Sequence, residues 1–515
     1  MIQRLLLNNE VVTEDGVQYT PCACHSQIGN FSASPSVGAK NIFDIPRCDM
    51  FIDREPLPFI KEYITLLNQR LSLLGHGLTR IQSLWLGFCL MGILLTNSIC
   101  WKRFEKMSLK NYGASAIRWM FCRSRIAWND LLTASTMMIV DRYNIKEGVL
   151  VIDDKNIDRS KNTSRIYGVH KVKDKKTGGY SMAQSLVFLY FVTKKFCLPV
   201  GFAFYTPDPS WSRWKVEDTR LKKSGIAKAY RPKEPPRNWK KKHELALDLM
   251  KTFSQHISNV HIVGVLADAL YGHSAFIDGV VRLWPQAQVI SQLRKNQKIC
   301  TAKKQMSCEE YFSSYQGWEQ KITIRGRKVK MVLAGGGRLY VPSHDQTRWV
   351  IGLKYKDEKE YRYLVAANLS WNMLQVMNNY SLRWLIEVFL EDWSSYGGFC
   401  SLAKQRGVEG SERPLILSLL FDHCFLFHPE QTSSIEKQAS LATFGSLVER
   451  SRMESFINFV RCLLKEEHPK ETFENLVKNV NNIFVLRPSE KHLSGVEIEF
   501  GSSYTKLETR HRNIA

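Results

Sequence analysis

The sequence predicts an α/β fold, because two buried strands that end in aspartates enclose two further strands and a helix. The runs "GVLVIDDKN" (148–156) and "VHIVGVLADALYG" (260–272) are continuously apolar before their acids, which is typical of strands buried on both faces. The helix is predicted over "ELALDLMKTFSQHI" (244–257), and the other strands over 185–193 and 198–206. Acids that follow the strands of such a sheet mark the edge where ligands bind.

Helices are predicted before this α/β core, because the apolar residues of 58–145 recur at spacings of three and four. Two basic clusters, "WKRFEKMSLK" and "RWMFCRSR", favour a DNA-binding role for this bundle, although solvated helix faces have the same composition. The segment 81–101 carries no charge and is nearly long enough to span a bilayer. Polar residues inside it and cations at both ends favour a buried core helix over a membrane span.

Strands return after the core, where 292–370 alternates apolar and basic residues between turn signals. This pattern predicts an inserted β-rich domain with a cationic face. Within it, "GGG" (335–337) is interpreted as a turn, and Ser370 as the N-cap of the following helix. The predicted domains are an irregular arm (1–57), a helical DNA-binding domain (58–145), a core in two parts (146–291 and 371–410), the inserted β-rich domain (292–370) and a helical C-terminal region (411–515).

The charge of the chain favours a polyanionic partner. Lys and Arg exceed Asp and Glu by 23, and neutralising phosphates releases counterions whatever the nucleic-acid sequence. Part of the excess lies in a basic segment with interleaved tryptophans, 212–244. The 12 cysteines are scattered, as in proteins of reducing compartments, and "CACH" (22–25) lacks the spacing of a zinc ribbon. The opening residues do not resemble a signal peptide, so we expect a cytoplasmic, nucleoid-associated protein.

The helix predicted over 376–393, "VMNNYSLRWLIEVFLEDW", places acids inside a basic protein. Its apolar residues recur at three and four, beside a polar stripe of Tyr380, Arg383, Glu387 and Glu391. A solvated helix face has the same pattern. An ion pair along a helix is more favourable when the acid comes first, and here Arg383 precedes Glu387. Helix stabilisation is therefore a weak reason for this pair.

A chemical reason for the acids is metal binding. Asp154, Asp268 and Glu387 come from separate predicted elements and can converge on divalent ions. Two such ions about 3.5–4 Å apart activate an attacking oxygen and neutralise a leaving oxygen at phosphorus. Oxygen ligands favour Mg²⁺, or Mn²⁺, over zinc. The prediction is that cations hold the DNA backbone while carboxylates hold two Mg²⁺ ions at the scissile bond.

Three motifs, "LVIDDKN", "LADALYG" and "YSLRWLIEVF", resemble in this order those of DDE-type insertion-sequence transposases. The resemblance is to the group with a Tyr-x-x-Arg-x-x-x-Glu catalytic helix, and it covers about residues 58–430. It implies an RNase H-like catalytic core that cuts DNA at transposon ends and joins the free 3′ hydroxyl to target DNA. It also implies a homodimer that holds two DNA ends.

The resemblance implies roles for individual residues. The catalytic, metal-binding acids would be Asp154, Asp268 and Glu387, with Asp153 as the alternative to Asp154. Contacts to a terminal DNA phosphate would be made by Tyr380 and Arg383.

Two positions depart from the family's pattern and bear on whether this copy transposes. Lys155 stands where the family has threonine, and Ser394 where it has a basic residue that meets DNA phosphate. Lys404 and Arg406 are the candidates to replace that cation, and Arg294 is a further expected DNA contact. Two other functions share these motifs: a metal-dependent nuclease or resolvase that cuts without joining, and a catalytically dead DNA-binding regulator derived from a transposase.

Overall fold

The computed structural model describes residues 56–484, apart from 160–164, 174–177, 237–238, 303, 316, 325–327, 356–357 and 399–404. The predicted arm, except for its last two residues, and the end of the predicted C-terminal region lie outside the described residues. One large hydrophobic core contains residues of both the helices and the sheet. The division into domains therefore stays a prediction.

The described helices before the sheet agree with the helical spacing. They are α1 (Pro58–Leu73), α2 (Arg80–Thr96), α3 (Trp101–Met107), α4 (Ala114–Arg123) and α5 (Trp128–Arg142). A capping box of Thr79 and Gln82 begins α2, and the helix is buried from Trp85 to Leu94, which confirms the core-helix prediction. Within the described residues no single helix is long and apolar enough to cross a membrane; α2 and α3 meet that test only as a pair bent by 89°.

The described strands form one mixed sheet. Its central strands are β1 (Glu147–Arg159), β3 (Tyr180–Val192), β5 (His261–Ala267) and β6 (Gln288–Leu293), preceded or flanked by β2 (Val169–Lys173) and β4 (Cys197–Tyr205). β1 and β6 each pair in parallel with β5, whereas β3 is antiparallel to β1. Parallel neighbours need crossover connections, and these contain α6 (Pro209–Lys223), α7 (Lys242–His256) and α8 (Ser274–Leu283).

The predicted insert does contain strands, but they extend the same sheet. The elements are β7 (Lys298–Cys300), β8 (Gln305–Ser307), α9 (Cys308–Ser314), β9 (Trp318–Ile324), β10 (Lys328–Val341), β11 (Gln346–Tyr355) and β12 (Arg362–Ala366). Antiparallel pairing of β12 with β6 makes the sheet continuous. The turn predicted at 335–337 is wrong: these glycines lie inside β10, where β11 comes so close that a Cβ on Gly336 would be 2.2 Å from the Val350 carbonyl oxygen.

The helix predicted over 376–393 is observed in three consecutive pieces: α10 (Met373–Tyr380), a 3₁₀ turn (Ser381–Arg383) and α11 (Trp384–Tyr396). The prediction that Ser370 is the N-cap of this helix is wrong. The cap is Asn372, whose side chain accepts the N–H of Gln375 at 2.8 Å. Ser370 instead donates its hydroxyl to the side chain of Asn368 at 2.7 Å.

Helices continue after α11 as α12 (Gly407–Cys424), α13 (Pro429–Glu436), α14 (Phe444–Leu464) and α15 (Pro469–Ile483). A buried hydrogen-bonded chain, which we call the junction network, joins α12 to the N-terminal helices and the sheet. His423 donates from Nε2 to the Pro199 carbonyl at 2.7 Å, so its Nδ1 accepts from Ser135 at 2.8 Å. Ser135 in turn accepts from the Tyr63 hydroxyl at 2.7 Å.

Candidate functional site

Strand β1 carries two acids to the middle of the sheet. The expectation that Asp153 and Asp154 end a strand is wrong, because pairing with β3 continues β1 as far as Arg159. Its parallel pairing with β5, however, stops at Ile152 and Ala267. Both aspartates therefore lie just beyond the parallel part of the sheet, beside the carboxyl end of β5, which is where ligands bind in α/β folds.

Asp268 meets these aspartates from the neighbouring strand. It follows β5 directly, and its Oδ1 accepts the N–H of Leu270 at 2.8 Å, so that it caps a 3₁₀ turn. The Ser291 hydroxyl of β6 donates to its carbonyl oxygen at 2.6 Å. One carboxylate oxygen from each of Asp153, Asp154 and Asp268 lies within 4.8 Å of the other two. The structure thus brings together two of the three predicted acids and the alternative.

Glu387 stands outside this group of three and is connected to it by Arg383. The guanidinium donates to Asp153 Oδ2 at 2.9 Å and to Glu387 Oε1 at 2.5 Å. Arg383 was expected to contact phosphate directly, but here it bridges two carboxylates, with only 15% of its side chain exposed. Arg383 precedes Glu387 along the helix, and from this position its guanidinium contacts both Asp153 of β1 and Glu387.

A second cation at the site is Lys242, which the sequence reasoning missed. Its ammonium forms an ion pair with Asp154 Oδ2, and each of the two side chains is 19% exposed. Lys242 is the first residue of α7, at the end of the basic segment 212–244. The available signal was a run of lysines directly before a predicted helix, but nothing in the sequence indicated which lysine faces β1.

The electrostatics of the site favour a bound cation. Burial raises the pKa of Asp153 to about 6, against the opposing charge of Arg383, and the neighbouring carboxylates add to the increase. Burial also raises the pKa of Tyr271 well above its usual value, and the negative charges of Asp154, Asp268 and Asp153 raise it further. Among the described residues its buried hydroxyl has no hydrogen-bond partner. Negative charge is thus concentrated where little water screens it.

The residues present fit a divalent metal ion. The donors are carboxylates, which suit hard ions such as Mg²⁺ and Mn²⁺, and their oxygens are close enough together to share one ion. Asp153, Asp154 and Asp268 would hold it, and Glu387 is connected to Asp153 by the guanidinium of Arg383.

The other predicted DNA contacts lie in different surroundings. Tyr380 is buried and accepts the side-chain N–H of Gln292 at 2.5 Å, and its contact with phosphate stays a prediction. Arg294 follows β6 and is exposed, and its charge contributes, after burial and Lys241, to lowering the pKa of His273.

Of the two residues predicted to replace the cation missing at Ser394, the structure describes only Arg406. Lys404 lies outside the described residues. Arg406 is exposed and lines a cavity of about 300 Å³ together with Arg118 and Arg413. Ser394 donates its hydroxyl to the Leu390 carbonyl at 2.5 Å, back along α11. Lys155 follows the two aspartates on β1 and is half-buried.

A protein family matches the part of the chain that carries the three aspartates. Residues 75–314 match the family described as "DDE superfamily endonuclease". The matched segment is less than half of the chain, and it includes Asp153, Asp154 and Asp268 but ends before Glu387. The match supports the coarser part of the sequence prediction, a DDE-type endonuclease domain. The match does not test the predicted Tyr-x-x-Arg-x-x-x-Glu helix, because it ends at residue 314.

Among solved structures, the chain is similar to a piggyBac transposase, determined by cryo-electron microscopy as a synaptic complex with hairpin DNA. The two chains are 12% identical, with a TM-score of 0.37, and the similarity covers 84% of this chain and 83% of the other. At this level of similarity, no residue role transfers from one chain to the other. No curated protein matches the chain.

Proposed function

We propose that the chain is a transposase that binds transposon ends and catalyses metal-dependent DNA cleavage and strand transfer. The observation that carries the proposal is the convergence of Asp153, Asp154 and Asp268 within 4.8 Å beside the carboxyl end of β5. These acids lie inside the segment that matches an endonuclease family. A net charge of +23 supplies affinity for the polyanion on which such a site would act.

The proposed cofactors are two Mg²⁺ ions, with Mn²⁺ as a substitute. When bound, such ions activate an attacking oxygen and neutralise a leaving oxygen at phosphorus. Asp154, Asp268 and Glu387 remain the proposed catalytic ligands. Asp153 shares Arg383 with Glu387, which supports a role in the site for both aspartates of β1.

Arg383 and Tyr380 are proposed to position other groups. Arg383 holds Glu387 toward β1 and offsets the charge of Asp153. Tyr380 is buried against Gln292, two residues before Arg294. We propose that Tyr380 acts on DNA through this strand end, where Arg294 would contact phosphate.

DNA is the proposed partner, both as transposon ends and as target. The helix α6 supports this, because it carries several cations and none of its residues is buried. Trp211 packs against Trp214 and Trp239, while Lys222 and Lys223 are exposed at the end of α6. Lys404 and Arg406 remain proposed contacts that replace the cation missing at Ser394.

The proposed active form is a homodimer holding two ends, in the cytoplasm with nucleoid DNA. This part of the proposal rests on the family resemblance. Scattering from the end-bound complex should show two chains for two DNA ends; one chain for two ends contradicts the dimer.

A nuclease that cuts without joining is the second candidate, since the matching family is described as an endonuclease. Both candidates use the same acids. They differ in whether the free 3′ hydroxyl is joined to a second DNA.

The test is a cleavage and joining assay with DNA that flanks the gene, Mg²⁺ and a supercoiled target. We expect cut and joined products from the wild type, and neither from Asp268→Asn, which should still bind DNA. The matched control is Asp158→Asn on β1, because Asp158 is exposed and its side chain accepts the hydroxyl of Ser181. Cut products without joined ones favour the nuclease. Cleavage by Asp268→Asn at the wild-type rate contradicts the acid site.

A further inference from the structure

Lys242 occupies a position that its own helix does not favour. It is the first residue of α7 and follows Lys240 and Lys241, whereas the positive end of the helix dipole disfavours cations there. Glu244 offsets part of this by accepting the Lys241 N–H at 2.7 Å. Lys240 turns to the side and pairs with Asp248 at 2.7 Å. Helix stability therefore explains neither the presence of Lys242 nor its direction.

The ammonium of Lys242 is enclosed by the candidate site. It is paired with Asp154 Oδ2, and its Nζ lies 5.4 Å from the centre of the Tyr205 ring, a distance that permits a cation–π contact. Both members of the ion pair are largely removed from water. Breaking such a pair leaves a buried charge without compensation, so Lys242 holds Asp154 until another cation replaces it.

Asp154 is therefore the partner of Lys242 and also one of the carboxylates that would bind the divalent ion. Its carboxylate belongs to the group that fits a divalent ion, yet one of its oxygens is bonded to Lys242. An ammonium and a divalent ion on the same carboxylate repel each other strongly where the effective dielectric constant is low. Filling the site with a divalent ion therefore favours release of Lys242 from Asp154, and a lysine on a flexible four-carbon stem can then pair with another anion.

We propose that Lys242 is a positioning residue that holds Asp154 in the metal-free protein and passes to a DNA phosphate when metal and DNA bind, so that each binding strengthens the other. The inference rests on the proposed function, which supplies both the metal and the DNA. It adds a role for a residue at the start of α7. By linkage, DNA must raise the affinity for metal by the same factor by which metal raises the affinity for DNA.

The test measures Mn²⁺ binding by calorimetry on the full chain, with and without a short duplex, and needs no turnover. Without DNA, Lys242→Gln should bind Mn²⁺ about tenfold more tightly than the wild type, because no ammonium has to be displaced. DNA should tighten Mn²⁺ binding by a similar factor in the wild type, but much less in Lys242→Gln. Lys242→Arg, which keeps the charge, should restore the coupling.

The matched control is Lys240→Gln, which removes the same charge two residues earlier from an exposed pair. Its Mn²⁺ affinity should stay close to that of the wild type. Lys242→Met keeps an apolar side chain against Tyr205 and replaces Lys242→Gln in the test if Lys242→Gln does not fold. In that case the shift of the melting temperature by Mn²⁺ measures the affinity.

Two outcomes contradict the inference in different ways. If Lys242→Gln and Lys242→Met bind Mn²⁺ no more tightly than the wild type, or keep the full effect of DNA, the exchange by Lys242 is wrong while the acid site stands. If Asp268→Asn binds Mn²⁺ as well as the wild type, the metal site itself is wrong, and the proposed function fails with the inference.

Discussion

Two polar networks inside this protein differ in charge and in how completely their groups are hydrogen-bonded. The junction network of Tyr63, Ser135, His423 and the Pro199 carbonyl is fully buried and neutral, and every group in it has a partner. The acid site contains several carboxylates, two cations and the hydroxyl of Tyr271, which has no hydrogen-bond partner within the part of the chain that the structure describes.

The difference shows what each network can do. A closed set of neutral hydrogen bonds stabilises one packing and offers nothing to a ligand. A site with excess negative charge, balanced by side chains that can move away, is costly to the fold and can accept a metal ion. Changes at the acid site should therefore alter activity, whereas changes at the junction should alter stability.

The largest expected effect is on cleavage. Glu387→Gln should lower the cleavage rate by at least about ten-thousandfold, because a proposed catalytic carboxylate is lost. Its melting temperature should change little. Glu391→Gln, one turn further along α11 and exposed, should cleave normally. Equal rates for both variants would remove Glu387 from the site and weaken the contrast between the networks.

A large effect is also expected from salt. Affinity for duplex DNA should fall about a thousandfold between about 50 and 200 mM salt, because several phosphate contacts release counterions. Replacing Lys222 and Lys223 with Gln should make the salt slope shallower by about two. The control Lys194→Gln removes a charge already paired with Glu147 and should leave the slope unchanged. A flat salt dependence would contradict the cationic DNA surface.

At the junction, stability should depend on pH through His423. Burial lowers its pKa from 6.5 to about 4, so the folded state keeps the imidazole neutral where the unfolded chain binds a proton. The stabilisation is complete above pH 6.5 and is lost as the pH falls from 6.5 to 4, by up to about 3 kcal/mol. The melting temperature of His423→Gln should fall less over this range. His256→Gln, at an exposed position, should behave as the wild type.

The smallest effect is expected from a single hydroxyl of the same network. Tyr63→Phe leaves Ser135 without its donor and should lower the free energy of unfolding by about 1–2 kcal/mol. Denaturant midpoints measure this, with Tyr230→Phe as the control, since Tyr230 is 84% exposed. Cleavage should be unchanged. A loss of cleavage at unchanged stability would show that the junction communicates with the acid site.

Much of the fold was predictable because it depends on local periodicity. The continuous apolar run before Asp153 predicts β1, and the uncharged segment 81–101 predicts a buried helix; β1 is observed, and the helix is observed over Arg80–Thr96. The turn at 335–337 was wrong because glycine has two uses, in turns and in strands whose neighbours come close. Only the position of Val350 decides between them.

The sequence by itself determined which acids are available, that a buried apolar run precedes them, and that the chain is strongly basic. Those properties follow from composition and from neighbours along the chain. Only the tertiary structure decided that Asp153 joins Asp154 and Asp268, that Arg383 bridges β1 to Glu387, and that Lys242 pairs with Asp154. The physical reason is that the pairs Arg383–Asp153 and Lys242–Asp154 join elements far apart in sequence, and sheet register and helix direction determine which side chains meet.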